Sequence, residues 1–339
     1  MAERKGKRTV CVKNGTGVLA FAGVAGKKES EGPLGHEIDK TYNDPLLGQE
    51  TWEQAESELQ KNAVQLALEK SKLTANDIDI VFAGDLLNQC ISSNYGLMSF
   101  NIPFCGLYGA CSTMALSTVM ASLAVDSGYA DNCLAVTSSH FCSAERQFRF
   151  PIEYGGQRTP TAQWTVTGSG ALVVSKNSPQ VLIKEVTIGR ITDLGITDIN
   201  NMGAAMAPAA AETIADYLKD TGHSPEDFNY IVTGDLGVVG STLLVDLLKK
   251  QNIDISNNHA DCGAMIYNID KQDVHAGGSG CGCSAVVLTS HFLPELVSGD
   301  ISDILFIATG ALMSTTSNQQ GQTIPSIAHL VHFSSLKRS

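Results

Sequence analysis

Two stretches of this chain, 150 residues apart, spell the same unit, and that repetition constrains the fold more than any other feature. "ETWEQAESELQKNAVQLALEKSKL" runs into "DIDIVFAGDL", Asp77 to Leu86; "APAAAETIADYLKDTG" runs into "DFNYIVTGDL", Asp227 to Leu236. Each pairs a helix, an acidic turn, a short apolar strand and Gly-Asp-Leu. The correspondence continues. In the first half a strand around Pro103 to Leu107 leads to a helix beginning at Cys111 and then to the strand "NCLAVTSS"; in the second, "VHAGGSGCGCSAVVLTSHFLPELVSGD" leads to "DILFIATGA". Alternating helices and buried apolar strands predict an α/β fold of two duplicated αβ halves, 1–176 and 177–339, related by a pseudo-twofold axis.

Matching the strands sets the helix that follows His275 opposite the one that begins at Cys111, so that two helix N-termini meet at the axis. A helix N-terminus offers free N–H groups and partial positive charge, which lower a thiol's pKa and can hold an anion. A facing imidazole could accept or share the thiol proton. Cys111 and His275 are therefore the candidate site pair. The glycines at 277, 278, 280 and 282 let two backbones approach closely. His259, near Asp261 in "NNHADCGAM", either approaches the same cavity or bonds nearby backbone. Asp85 and Asp235, in the repeated Gly-Asp-Leu, read first as caps of the helices that follow them.

Composition removes several classes of function. With 35 acidic and 23 basic residues the formal charge is -12, which repels a phosphate backbone, so nucleic acid is not an expected partner. Nine cysteines, an odd number without a regular framework, predict free thiols in a reducing compartment. The opening residues read as a first strand rather than a secretory signal, and no continuous apolar run approaches the roughly 18 residues of a bilayer span. Cys281 and Cys283 form CxC, without the CxxC pairs of zinc modules, and no metal site is expected. No phosphate loop, dinucleotide fingerprint or EF-hand is present, so no cofactor is expected.

Gly-Ala-Cys-Ser at 109–112 on a strand-turn-helix, the duplicated unit, and His275 before a glycine-rich helix start together resemble the thiolase and ketoacyl synthase superfamily. The resemblance implies a five-layer fold, a homodimer, and a cysteine that carries an acyl group. Two departures stand out. Gly234 and Asp235 occupy the place of the second-half histidine of the third type of ketoacyl synthase, and "VTGSGALVV", 166–174, lacks that family's acidic residue. Loss of one catalytic donor removes about two to four kcal/mol of transition-state stabilisation, so a non-catalytic site is the first expectation. The rival is an acyltransferase with Cys111 as acyl carrier and His275 as base.

A narrower resemblance rests on "GPLG", "AGDLLNQ", "YGACSTM" and above all "TSSHFCSAERQFRFPIEYGGQRTPTAQWTVTG", Thr137 to Gly168. These are similar to a stage V sporulation protein family of spore-forming bacteria. That implies a protein of the developing spore that binds dipicolinate, alone or with calcium carried along. It would act in dipicolinate uptake and its release at germination, held peripherally at the inner spore membrane by membrane proteins of the same transport system. The long segment carries groups suited to a flat dianion, namely Arg146, Arg149, Arg158 and Gln163 among aromatics. With His259 these are the expected ligand contacts. On a strand, Arg146, Phe148 and Phe150 would share one face.

Overall fold

The computed structural model describes residues 2–148 and 158–337. Its main sheet reads outward from the middle as the same sequence of pairings twice. In the first half Gly17–Gly26 lies antiparallel to Gly168–Ser175, which is antiparallel to Asn132–Ser139; Ile80–Gly84 and then Phe104–Gly106 follow in parallel. In the second half Val181–Thr187, Ser326–Ser335, Asp303–Ala311, Tyr230–Thr233 and His259–Asp261 repeat that pattern. The halves join where Val181 pairs with Val18 and Leu182 with Gly17. Gly17 is required there, because a Cβ would lie 2.1 Å from the Val181 carbonyl oxygen.

Helices fill the layers around and between the two half-sheets. The Trp52–Ser71 helix packs Leu59, Ala63 and Val64 on the outer face of the first half, against Val81, Leu134 and Val173. The Met202–Thr221 helix does the same in the second half with Met206, Ala210 and Ile214 against Leu305, Ile307 and Leu330. Between the half-sheets lie Thr113–Ser127 and Cys281–Val287, whose Met114, Val119 and Val286 meet Leu172, Val174, Phe306 and Phe333. Alternate residues of each strand thus serve different cores: Leu305 and Ile307 point outward, Ile304 and Phe306 inward. Both strand faces are covered, which is why these strands read as unbroken apolar runs.

The helical run Cys281–Ser298 is by length and composition apolar enough to cross a bilayer, but 72% of it is buried inside the protein, as suits a middle-layer helix. Phe141–Phe148 is a helix, not a strand. His140 starts it, its Nδ1 accepting the Cys142 N–H and its carbonyl the Ala144 N–H. The alternate-residue face through Arg146 therefore does not form.

Candidate functional site

The two middle helices begin face to face at the junction of the halves. Before the first, the Gly109 carbonyl accepts the Ser112 N–H at 3.0 Å and the Ser112 hydroxyl at 2.5 Å, and Ala110 takes a left-handed φ of 47°. This tight turn exposes Cys111 on its outer side. It can lie flat on the Asp303–Ala311 strand because Gly310 has no Cβ, which would sit 2.3 Å from the Gly109 oxygen. Opposite, Gly280 at φ 101° turns the chain into the Cys281–Val287 helix.

Asp235 is the residue that meets Cys111. Its carboxylate is buried and accepts the Gly280 N–H at 2.9 Å, the Ser279 hydroxyl at 3.2 Å, the Thr309 hydroxyl at 3.0 Å and the Cys111 thiol. Burial, opposed by those donors, pushes its pKa up to about 6. The thiol is pushed well above its ordinary value, first by burial and then by the Asp235 charge; the Gly280 N–H pulls the other way and is outweighed. Cys111 is consequently a protonated thiol at neutral pH. It has one side on a cavity, and protein atoms crowd the others.

That cavity has a volume of about 550 Å³. Leu87, Met202, Met206 and Met313 give it an apolar wall; Asp85, Asn88, Gln89, Ser279 and Ser314 supply oxygen and amide groups. Among the described residues lining it there is no lysine, arginine or histidine.

Behind Asp85 runs a buried polar chain. Asp85 accepts the Leu87 N–H at 2.9 Å and both the N–H and hydroxyl of Ser93 at 2.8 and 2.6 Å. The Gln60 amide donates to the Ser93 and Ser138 hydroxyls at 2.8 and 3.0 Å. Ser138 and Ser143 donate to the two oxygens of Glu56 at 3.1 and 2.6 Å. Burial first, and the Asp85 charge second, push Glu56 up to about 8; burial also raises Asp85.

The expected site residues scatter. His275 does not stand opposite the thiol: its Nε2 lies 3.2 Å from Asp273, and it is absent from the described cavity lining. It sits five residues ahead of Gly280, before the glycine turn has brought the chain to the axis, and Asp235 takes its place. Arg146 pairs with Glu53 beside Trp52. Arg158 pairs with Asp273 at 3.2 Å and lies 4.7 Å over Trp164, whose ring also carries Lys28 at 4.0 Å. Gln163 donates to the Asp235 and Gly278 carbonyls, bracing the wall from behind. His259 Nε2 bonds the Thr233 hydroxyl, which in turn donates to Asp261. Arg149 lies outside the described residues. The acids Asp85, Asp235 and Glu56 were the missed members. The repeated Gly-Asp-Leu was the signal for two of them, since an acid placed identically in both halves ends at the shared axis.

A family model, that of stage V sporulation protein AD, matches residues 6–334. The chain belongs to that family. It is 48% identical over 328 residues to the stage V sporulation protein AD of Bacillus subtilis (strain 168), covering 97% of each chain. The fold is shared with solved ketoacyl synthase and thiolase structures. The 3-oxoacyl-[acyl-carrier-protein] synthase III of Aquifex aeolicus VF5 superposes with a TM-score of 0.56 at 14% identity, over 94% of this chain and 99% of that one. Human mitochondrial 3-ketoacyl-CoA thiolase in complex with CoA gives 0.60 at 13% identity, over 96% and 99%. Cerulenin-bound OleA from Xanthomonas campestris gives 0.59 at 15%, over 98% of each chain. This member of the sporulation family thus carries a thiolase-like fold of duplicated halves.

Proposed function

We propose that this sporulation protein binds dipicolinate as its calcium chelate in the Cys111 cavity. There it acts as a carrier in the uptake of that cargo into the developing spore and its release at germination. The observation that carries this reading is the charge of the wall: a chamber of about 550 Å³ with Asp85 on it and no cationic side chain among its described lining. A carboxylate brought to about 5 Å from Asp85, at an effective dielectric of about 20, meets about 3 kcal/mol of repulsion, or roughly a hundredfold in affinity. Calcium cancels the ligand's two charges. It accepts six to eight oxygen ligands, of which the pyridine dicarboxylate supplies only part. The Asp85 carboxylate and the side-chain carbonyls of Asn88 and Gln89 are suited to complete the shell. The methionines and Leu87 offer a face for the flat ring.

Transfer to membrane proteins of the same spore transport system, a peripheral place at the inner spore membrane, and a homodimeric state rest on the family resemblance. Covalent work by Cys111 does not fit the site. An acyl carrier needs a thiolate, and burial together with the Asp235 charge holds this sulfur protonated while no imidazole among the described lining is placed to relieve it. Incubation with acyl thioesters followed by mass spectrometry should leave Cys111 unmodified; an added acyl mass would establish the transferase instead.

Calorimetry tests the binding. The calcium chelate should bind saturably, dipicolinate with a calcium chelator at least about tenfold more weakly. Asp85→Asn should weaken the chelate by about tenfold or more, while Arg158→Ala stays within about threefold. Equal affinity without calcium together with loss in Arg158→Ala would move the site to the cations over Trp164. Absence of heat in the parent protein would remove dipicolinate as the ligand.

A further inference from the structure

Away from the cavity lining, three side chains distant in sequence converge beside the end of the Met202–Thr221 helix. Glu185 of the Val181–Thr187 strand, His332 of Ser326–Ser335 and His223, just past the helix, each place one metal-ligating atom within 4.8 Å of the other two. Glu185 and His332 are buried, and His223 is partly so. We propose that these three residues, with the Cys11 thiolate, form a closed zinc site.

The imidazole partners carry the inference. A metal-bound histidine nearly always gives its second ring nitrogen to a carboxylate, which fixes tautomer and orientation. Both histidines have that partner. His332 Nε2 lies 3.0 Å from Asp303 Oδ1, and His223 Nδ1 lies 3.2 Å from Asp227 Oδ2. This leaves Nδ1 of His332 and Nε2 of His223 to face an ion; Nδ1 of His332 is already 2.5 Å from Glu185 Oε2 and 3.1 Å from the Tyr217 hydroxyl, which the ion would displace. The fourth donor lies just outside that cluster: Cys11 Sγ stands 3.9 Å from the other Glu185 oxygen and would turn inward to reach the ion. Ligand atoms around a tetrahedral zinc at about 2.0–2.3 Å are themselves separated by about 3.3–3.8 Å, so binding would draw in the three atoms that now lie within 4.8 Å of one another.

Charge points the same way. Three acids, Glu185, Asp227 and Asp303, surround the two imidazoles and Lys5, whose Nζ is 3.6 Å from Glu185 and whose side chain is partly in solvent. The surplus is negative as long as one imidazole is neutral. Two imidazoles, a thiolate and a carboxylate suit zinc rather than calcium or magnesium. On binding, the Cys11 proton leaves to solvent and Lys5 swings outward. The site would tie the amino-terminal Thr9–Cys11 strand to the second half. That strand already docks there, the Asp220 carboxylate accepting the N–H groups of Lys7, Arg8 and Thr9.

The full-length protein, stripped with a chelator and titrated with zinc against a chromophoric competitor, should take up one equivalent at submicromolar affinity and melt several degrees higher. His223→Ala and the milder His223→Gln should each weaken uptake at least about a hundredfold. Both lie at a partly exposed ligand, where folding is less at risk than at buried Glu185 or His332. Cobalt in place of zinc should give a tetrahedral visible spectrum with a thiolate charge-transfer band that Cys11→Ser removes. Uptake well below one equivalent, or uptake and melting unchanged by both His223 variants, would show an ordinary buried ion-pair cluster with adventitious metal elsewhere. A cobalt spectrum without the thiolate band would overturn the closed four-ligand site.

Discussion

Duplication has built the same device twice, and only one copy opens. Cys111 and Cys281 each follow a residue of positive φ, Ala110 and Gly280, and each stands at the start of a middle-layer helix. Each is set against acids of the opposite half: Asp235 acts on Cys111, while Glu56 and Asp85 act on Cys281. Yet Cys281 is sealed, its thiol donating to the Ser138 carbonyl at 2.9 Å, whereas Cys111 borders a chamber of about 550 Å³. Burial and carboxylates hold both thiols protonated, so the geometry of a nucleophile's turn persists without its electrostatics. What a ligand meets in the open copy is a wall of acid, amide and thioether.

Selective alkylation should separate the two copies most sharply. Under native conditions, peptide-resolved mass spectrometry should find Cys111 modified at least about a hundredfold faster than Cys281, which requires opening of the core. Equal rates would break the comparison. Within the open copy, Asp235→Asn removes the anion beside the thiol, lowers its pKa, and should speed alkylation of Cys111 at pH 8 by about tenfold per pKa unit recovered. A rate unchanged by the substitution would mean that burial alone sets the thiol's state.

The acid behind the sealed copy gives a smaller effect. Glu56 is raised in the folded protein to about 8, above its unfolded value, so its folded state binds more protons between those two values. Its contribution is full below the unfolded value and is lost as pH rises through about 8. Asp235 behaves likewise up to about 6. The melting temperature should therefore fall from pH 5 to pH 8.5, and Glu56→Gln should remove part of that fall, a few degrees by differential scanning fluorimetry. An identical pH dependence in the variant would assign the slope to other groups.

Much of the fold was legible because it was written twice. The Trp52–Ser71 and Met202–Thr221 helices start 150 residues apart, as the repeat requires, and unbroken apolar runs marked strands covered on both faces. Cys111 was readable from its glycine turn. Its partner was not, because the repeat aligns helices to within a turn, while the thiol's environment depends on whether residue 275 or residue 235 reaches it. Arginines near aromatics looked like ligand contacts, but composition cannot show that Glu53 and Asp273 already claim Arg146 and Arg158. Glu185, His223 and His332 have no common spacing at all; only sheet pairing brings the first and last together.

The central claim is that a neutral chelate, not a free dianion and not an acyl group, occupies the open copy. A crystal structure with calcium dipicolinate would test it most directly. The account expects the chelate in the Cys111 cavity, calcium at the Asp85 carboxylate, and no bond to the sulfur. Dipicolinate lodged instead between Arg158 and Lys28 at Trp164, or covalent density on Cys111, would contradict it.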